Sequence, residues 1–253
     1  MWPDAFAALP PLWLIFGAFL IAGTVKGIAA VGLPMTALGI LTTQTDPRTA
    51  ITLSLVPIFL ANLWQFLNAG GAVAAIRRYF PFLATLVVGI PVTLTLTVNI
   101  DQRVLTGVLG GVFVAFVALS VTRWKPTISD EKDVPAQLGF GAIGGVLGGL
   151  TSLWLPAIVI YLSARQTNKD EFVRATALML FAGILPLIAG FWREGYLTGP
   201  LTGLSAALVI PTVLGMAVGT RLRNRLSEQA FRNVLMVVFV LIGLNLIRKS
   251  LTG

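Results

Sequence analysis

Apolar residues run along this chain in long blocks, and polar residues collect in short patches between them. Eight blocks can be traced, at 12–43, 49–68, 79–98, 102–122, 137–164, 171–192, 197–219 and 228–247. Several reach or exceed the roughly 20 apolar residues that carry a helix across a bilayer. The pattern therefore predicts an all-α polytopic membrane protein. The first and fifth blocks are longer than one crossing needs. Each passes through glycines into a Leu-Pro step, Leu33-Pro34 and Leu155-Pro156. Proline removes a backbone donor and ends a helical run, so both blocks are expected to be broken helical hairpins.

The two halves of the chain look like copies. Shifting the first by 122 positions brings Gly17, Gly23 and Gly27 onto Gly139, Gly145 and Gly149, Leu33-Pro34 onto Leu155-Pro156, and Thr45 onto Thr167. Ile90-Pro91 and Ile210-Pro211 recur at nearly the same offset. The expected organisation is a first transmembrane repeat at 1–122, a polar linker at 123–136 and a second repeat at 137–253. Paired broken helices in a duplicated membrane chain point to a transporter that binds its substrate at the breaks.

Charge sharpens the topology. Eight simple crossings divide Lys and Arg evenly, eight against nine, with Lys26 left inside a block. If the first and fifth blocks enter and return as hairpins, the division becomes 12 against five. Only the second arrangement shows the positive-inside bias. It gives each half one hairpin and three crossings. An odd number of crossings inverts the second repeat relative to the first and leaves both termini outside.

Composition agrees. Hydrophobic residues make up 56% of the chain and charged residues 11%, against about a quarter charged in soluble domains. No soluble domain fits between the spans. The net charge of +8 reads as membrane orientation. No basic stripe lies on a soluble module, so nucleic acid is not an expected partner. With no Cys and no His, disulfides, thiolate metal sites and histidine relays are unavailable, and no cofactor or metal is expected. The opening "MWPDAFAALPPLWLIF" has no positive leader region and is read as the start of the mature protein.

The candidate chemistry is cationic. Lys26 lies about 20 Å into the first block at helical rise, where a lysine costs about 2.5–3.5 kcal/mol unless it finds water, a partner or the surface. It either snorkels to a headgroup or faces a wet cavity beside Gly32 and Pro34, where freed amides favour anions. Arg174, in "DEFVRATALML", either pairs with Asp170 on its own helix or reaches toward the Pro156 break, followed by Thr176. The matching first-half stretch "RTAITLSL" carries Arg48, Thr52 and Ser54. Arg48 also suits a helix-end anchor. In an inverted pair the two stretches would converge near the midplane. Asn62 and Gln65 share a helix face as ligands or as interhelical glue. No Asp or Glu sits mid-block, so no buried carboxylate is available to carry a coupling proton. An anionic substrate follows.

The ordered set "KGIAAVGLP", "RTAITLSLVPIFLANLWQ" and "FVRATAL", across two repeats, resembles the TauE/SafE sulfite exporter family. The resemblance covers almost the whole chain. It implies a multi-pass transporter of the bacterial plasma membrane that moves sulfite, sulfonates or related anions. The expectation is a secondary transporter working by alternating access around the two breaks, not an enzyme. Lys26 and Arg174 would supply charge, and Thr52, Ser54, Asn62, Gln65 and Thr176 hydrogen bonds. Its partners would be the bilayer and a small anion, with homo-oligomerisation open. An anion channel and a non-transporting assembly subunit are the rival readings.

Overall fold

The computed structural model describes residues 9–121, 127–197, 199–223 and 228–252, without side chains for 228–232. The opening residues 1–8, Arg123, Lys125 and Arg225 lie outside that description. The described residues are helical, with no strand: α1 Leu12–Ala29, α2 Leu33–Leu41, α3 Pro47–Ala69, α4 Ala72–Arg78, α5 Phe80–Thr97, α6 Gln102–Val121, α7 Asp133–Thr151, α8 Leu155–Ala164, α9 Lys169–Arg193, α10 Gly199–Ala207, α11 Val209–Arg223 and α12 Glu228–Thr252. Eight stretches are long and apolar enough to cross a membrane, with α10 and α11 counted as one. Their separation at Leu208 falls three residues before Pro211, which cannot donate to the Ala207 carbonyl.

Both long blocks break where the Leu-Pro steps predict, and in the same way. α1 ends at Ala30 and α7 at Ser152, each in the left-handed conformation at φ 61°. Their N–H groups close onto Lys26 O and Gly148 O. Ala30 and Ser152 stand 122 positions apart, as do Lys26 and Gly148. The two breaks therefore share one backbone conformation at positions 122 residues apart. Gly32 (φ 95°) completes the first break, and Pro34 and Pro156 occupy first-turn positions of α2 and α8, where a missing donor costs nothing.

The helices form two compact packing units. The first holds residues 1–58, 100–121 and 195–253, the second 59–99 and 122–194. Each takes helices from both halves of the sequence, so packing units and sequence repeats are different divisions of the chain.

In the first unit α1 packs on α11 through small residues. A methyl at Gly23 would run into the Thr212 backbone, and one at Gly27 into the Met216 carbonyl. Gly215 and Gly219 answer from α11 against Leu20 and Thr24. This is small-residue packing of membrane helices. α6 and α12 cross at Gly110 and Gly243, with Phe113 edge-on to Phe239 at 5.5 Å. α2 turns back from the break, since a methyl at Gly32 would meet Val25 Cγ1 at 3.2 Å. Lys249 of α12 donates to Thr43 O (2.7 Å) and Thr42 O (3.3 Å) at the C-terminus of α2, where the helix dipole favours a cation.

In the second unit the equivalent helices meet in the same way. α7 packs on α5 at Gly145 against Gly89, at Gly141 against Phe82 and at Gly149 against Ile90 and Thr93. Gly23 and Gly145, and Gly27 and Gly149, are thus matched residues at matched crossings. Their role is helix approach, while the breaks themselves rest on Ala30, Gly32 and Ser152. α7 and α8 double back on each other. A methyl at Gly144 would touch Ala157 Cβ at 3.5 Å, although a continuous helix would hold these positions about 20 Å apart.

A polar cluster closes the mouth of this second hairpin. Arg165, at the end of α8, donates to Ile128 O (2.6 Å) and pairs with Asp130 (2.6 Å). Its Nε lies 3.1 Å from Asp133 at the start of α7, an electrostatic contact without hydrogen-bond geometry. Tyr161 OH donates to the same Asp133 oxygen (2.7 Å). Glu171, in the first turn of α9, pairs with Arg78 (2.7 Å) and accepts from Tyr79 OH (2.7 Å). Burial, and then the Glu171 carboxylate, hold the Tyr79 phenol above its ordinary range, so it stays a donor. The residues 122 positions before Asp133, Tyr161, Arg165 and Glu171 are Pro11, Gly39, Thr43 and Thr49, which cannot build such a cluster.

Candidate functional site

The first unit carries one break and four of the expected polar residues. Lys26 occupies the last turn of α1, four residues before the left-handed Ala30, and is 4% exposed. The first helical bond of α2 runs from Thr36 N to Gly32 O (3.0 Å). The N–H groups of Leu33 and Met35 precede it and remain outside the ladder, while Pro34 has none. The Thr36 hydroxyl is buried and has no hydrogen-bond partner among the described residues. This end of α2 therefore offers backbone donors, a positive dipole end and a hydroxyl, with a buried lysine one turn before the break.

Arg48 sits in the first turn of α3. It donates to Ile100 O (3.3 Å), and its guanidinium lies 5.5 Å from the centre of the Tyr196 ring. That geometry is a helix-end anchor. Thr52 and Ser54 are buried on the same helix, but their hydroxyls donate to Arg48 O (2.9 Å) and Ala50 O (2.8 Å). Each must rotate away from its own helix to donate to a ligand.

The second unit carries the other break. The first bond of α8 runs from Ile158 N to Trp154 O (3.4 Å), leaving Leu155 and Ala157 N–H ahead of the ladder beside Pro156. Trp154 lies over α9, with its indole N–H on Met179 O (3.2 Å) and its ring against Gly183. Ser152, within the break, and Thr176, on α9, hold buried hydroxyls without partners among the described residues. Arg174 lies five residues before Met179, about 7.5 Å along the helix. Its stem and Nε pack where a methyl on Gly71 would sit, and that Nε has no hydrogen-bond partner among the described residues. Among the described residues Arg174 forms no ion pair with Asp170. Asn62 donates to Leu180 O (3.4 Å), a link between α3 and α9. Gln65 is half-buried one turn further along α3.

The expected residues thus gather in two sets. Lys26, Gly32, Pro34, Arg48, Thr52 and Ser54 belong to the first unit; Asn62, Gln65, Pro156, Arg174 and Thr176 belong to the second. The sequence reading missed the hydroxyls of Thr36 and Ser152. Their signal was position alone, since one follows Pro34 by two residues and the other occupies the repeat equivalent of Ala30. It also missed Ser205.

A family model described as sulfite exporter TauE/SafE matches residues 15–246. Neither a curated protein nor a solved structure gave a match.

Proposed function

The chain belongs to the TauE/SafE sulfite exporter family, and on that premise we propose that it is a secondary transporter moving small organosulfur anions, sulfite or sulfonates, across the plasma membrane by alternating access. The family consists of transporters, and the chain has the multi-pass helical build of one. The observation that carries the substrate class is Lys26. A lysine buried in the last turn of α1, beside a break that leaves N–H groups facing out of the ladder, favours an anion with oxygen acceptors. Thr36, Ser152 and Thr176 add hydroxyls suited to the same oxygens. Each break offers groups suited to an oxyanion, with Lys26, Gly32 and Pro34 at the first and Pro156 and Thr176 at the second. Arg48 and Arg174 act at helix ends, and Thr52, Ser54, Asn62 and Gln65 act after rearranging their present bonds. Proteoliposome counterflow tests the carrier mechanism. Trans sulfite should accelerate uptake of labelled sulfite, whereas equal rates with and without trans substrate would make the protein a channel.

The repeats are proposed to be inverted, with both termini outside. Supporting this is the doubling back of α7 and α8, which returns Arg165 to Asp133. The chain has no cysteine, so Gln44→Cys and Thr167→Cys can be probed singly in intact cells. An impermeant maleimide should label Gln44→Cys and spare Thr167→Cys. Labelling of both from outside would return the chain to simple crossings.

A further inference from the structure

The hydroxyls of this protein share a habit. Thr24, Thr42, Thr52, Ser54, Thr151 and Thr212 each donate to the carbonyl four residues earlier in the chain, the usual way a membrane helix satisfies a hydroxyl. Ser205 of α10 departs from it. Fully buried, it donates to Leu53 O of α3 (2.8 Å), and its own Oγ accepts from Val56 N (3.2 Å). Leu53 is four residues before Pro57. Proline has no N–H, so Leu53 O is the carbonyl that Pro57 leaves without its helical partner. Ser205 supplies that missing bond from another helix. Pro91 and Pro186 likewise interrupt α5 and α9.

The place matters. Leu53 stands between Thr52 and Ser54. The chain leaves the first packing unit for the second after Ile58, one residue beyond Pro57, and this is the crossing made in mid-helix. A freed carbonyl without a donor lets a helix bend or take up water, and one external hydroxyl in its place satisfies that carbonyl.

We propose that Ser205 sets the conformation of α3 at Pro57 and so acts as a positioning residue for transport. The transport part of this rests on the function proposed above; the α3 part does not. Thr49→Cys and Leu67→Cys, the only thiols in such a chain, place one spin label on each side of Pro57 in α3. Electron–electron resonance should give one narrow distance distribution in the Ser205-containing protein and a broadened or shifted one in Ser205→Ala. Adding Pro57→Ala to Ser205→Ala restores a backbone donor for Leu53 and should return the narrow distribution. In counterflow, Ser205→Ala should lower the maximal rate about tenfold with half-saturation within about twofold, and the double variant should recover that rate. Unchanged distances in Ser205→Ala, or a double variant as broad as the single one, would overturn the proposal. If Ser205→Ala does not fold, the double variant must, and its failure to fold overturns the proposal too. If the unsubstituted protein moves neither sulfite nor sulfonate, the transport reading fails while the distances still decide the role of Ser205.

Discussion

Gly145→Val is expected to leave no monodisperse folded protein after detergent extraction. A methyl there would stand 2.7 Å from Gly89 Cα and 3.2 Å from Thr85 O. These are backbone atoms, so no side chain can swing aside. Relief requires α5 and α7 to separate, and separation also opens the contacts at Gly141 and Gly149. Overpacking of a side-chain core costs about 1–3 kcal/mol. Prying two helix backbones apart costs more, enough to exhaust a marginal stability of about 5–15 kcal/mol. Gly139→Ala is the control. It lies on the same helix with nothing within 4 Å of its added methyl, and alanine favours the helix by up to about 1 kcal/mol. Size-exclusion chromatography should show a void peak for the first variant and a normal profile for the second. A normal profile for Gly145→Val would refute the packing of α5 on α7.

Lys26→Met should separate function from stability. Methionine keeps the length of the side chain and removes its charge. A buried lysine in a membrane helix costs about 2.5–3.5 kcal/mol on insertion scales, so the anion-free variant should melt no lower than the parent and gain about 1 kcal/mol. Charge-assisted hydrogen bonds are worth about 1.5–3 kcal/mol, so its affinity for sulfite or a small sulfonate should fall about 30-fold. Opposite signs on the two quantities are what a lysine retained for binding produces. A lysine that only anchors the helix would move stability alone.

Most of the fold was legible because a bilayer enforces long apolar runs and proline marks where they stop. Segment ends fell within a few residues, and the 122-residue offset anticipated both breaks down to the paired Leu-Pro steps. What escaped were features that depend on partners distant in sequence. Charge counting treats the loop Lys and Arg residues only as markers of orientation. It could not show that Arg165 and Arg78 would meet Asp130, Asp133 and Glu171 across four elements. The split at Leu208 and the short helix α4 were hidden inside an apolar run and a loop. The site was half legible. Lys26 stood out because charge is costly at depth, and it lies one turn before the break. Arg174 was read by its neighbours in sequence, but it packs beside Gly71. Ser205 gave no sign, because a serine in an apolar run looks the same whether it bonds its own helix or another.

The most direct measurement is a sulfite titration of the thermal midpoint, run in parallel on the unsubstituted protein and Lys26→Met. A ligand that binds only the folded state raises stability as the logarithm of its concentration above its Kd. The unsubstituted protein should climb steadily with sulfite and with a small sulfonate, while Lys26→Met starts no lower and stays flat over the same range. Superimposable titrations for the two proteins, or no rise in either with any organosulfur anion, would contradict the reading of Lys26 and its broken helix as an oxyanion site.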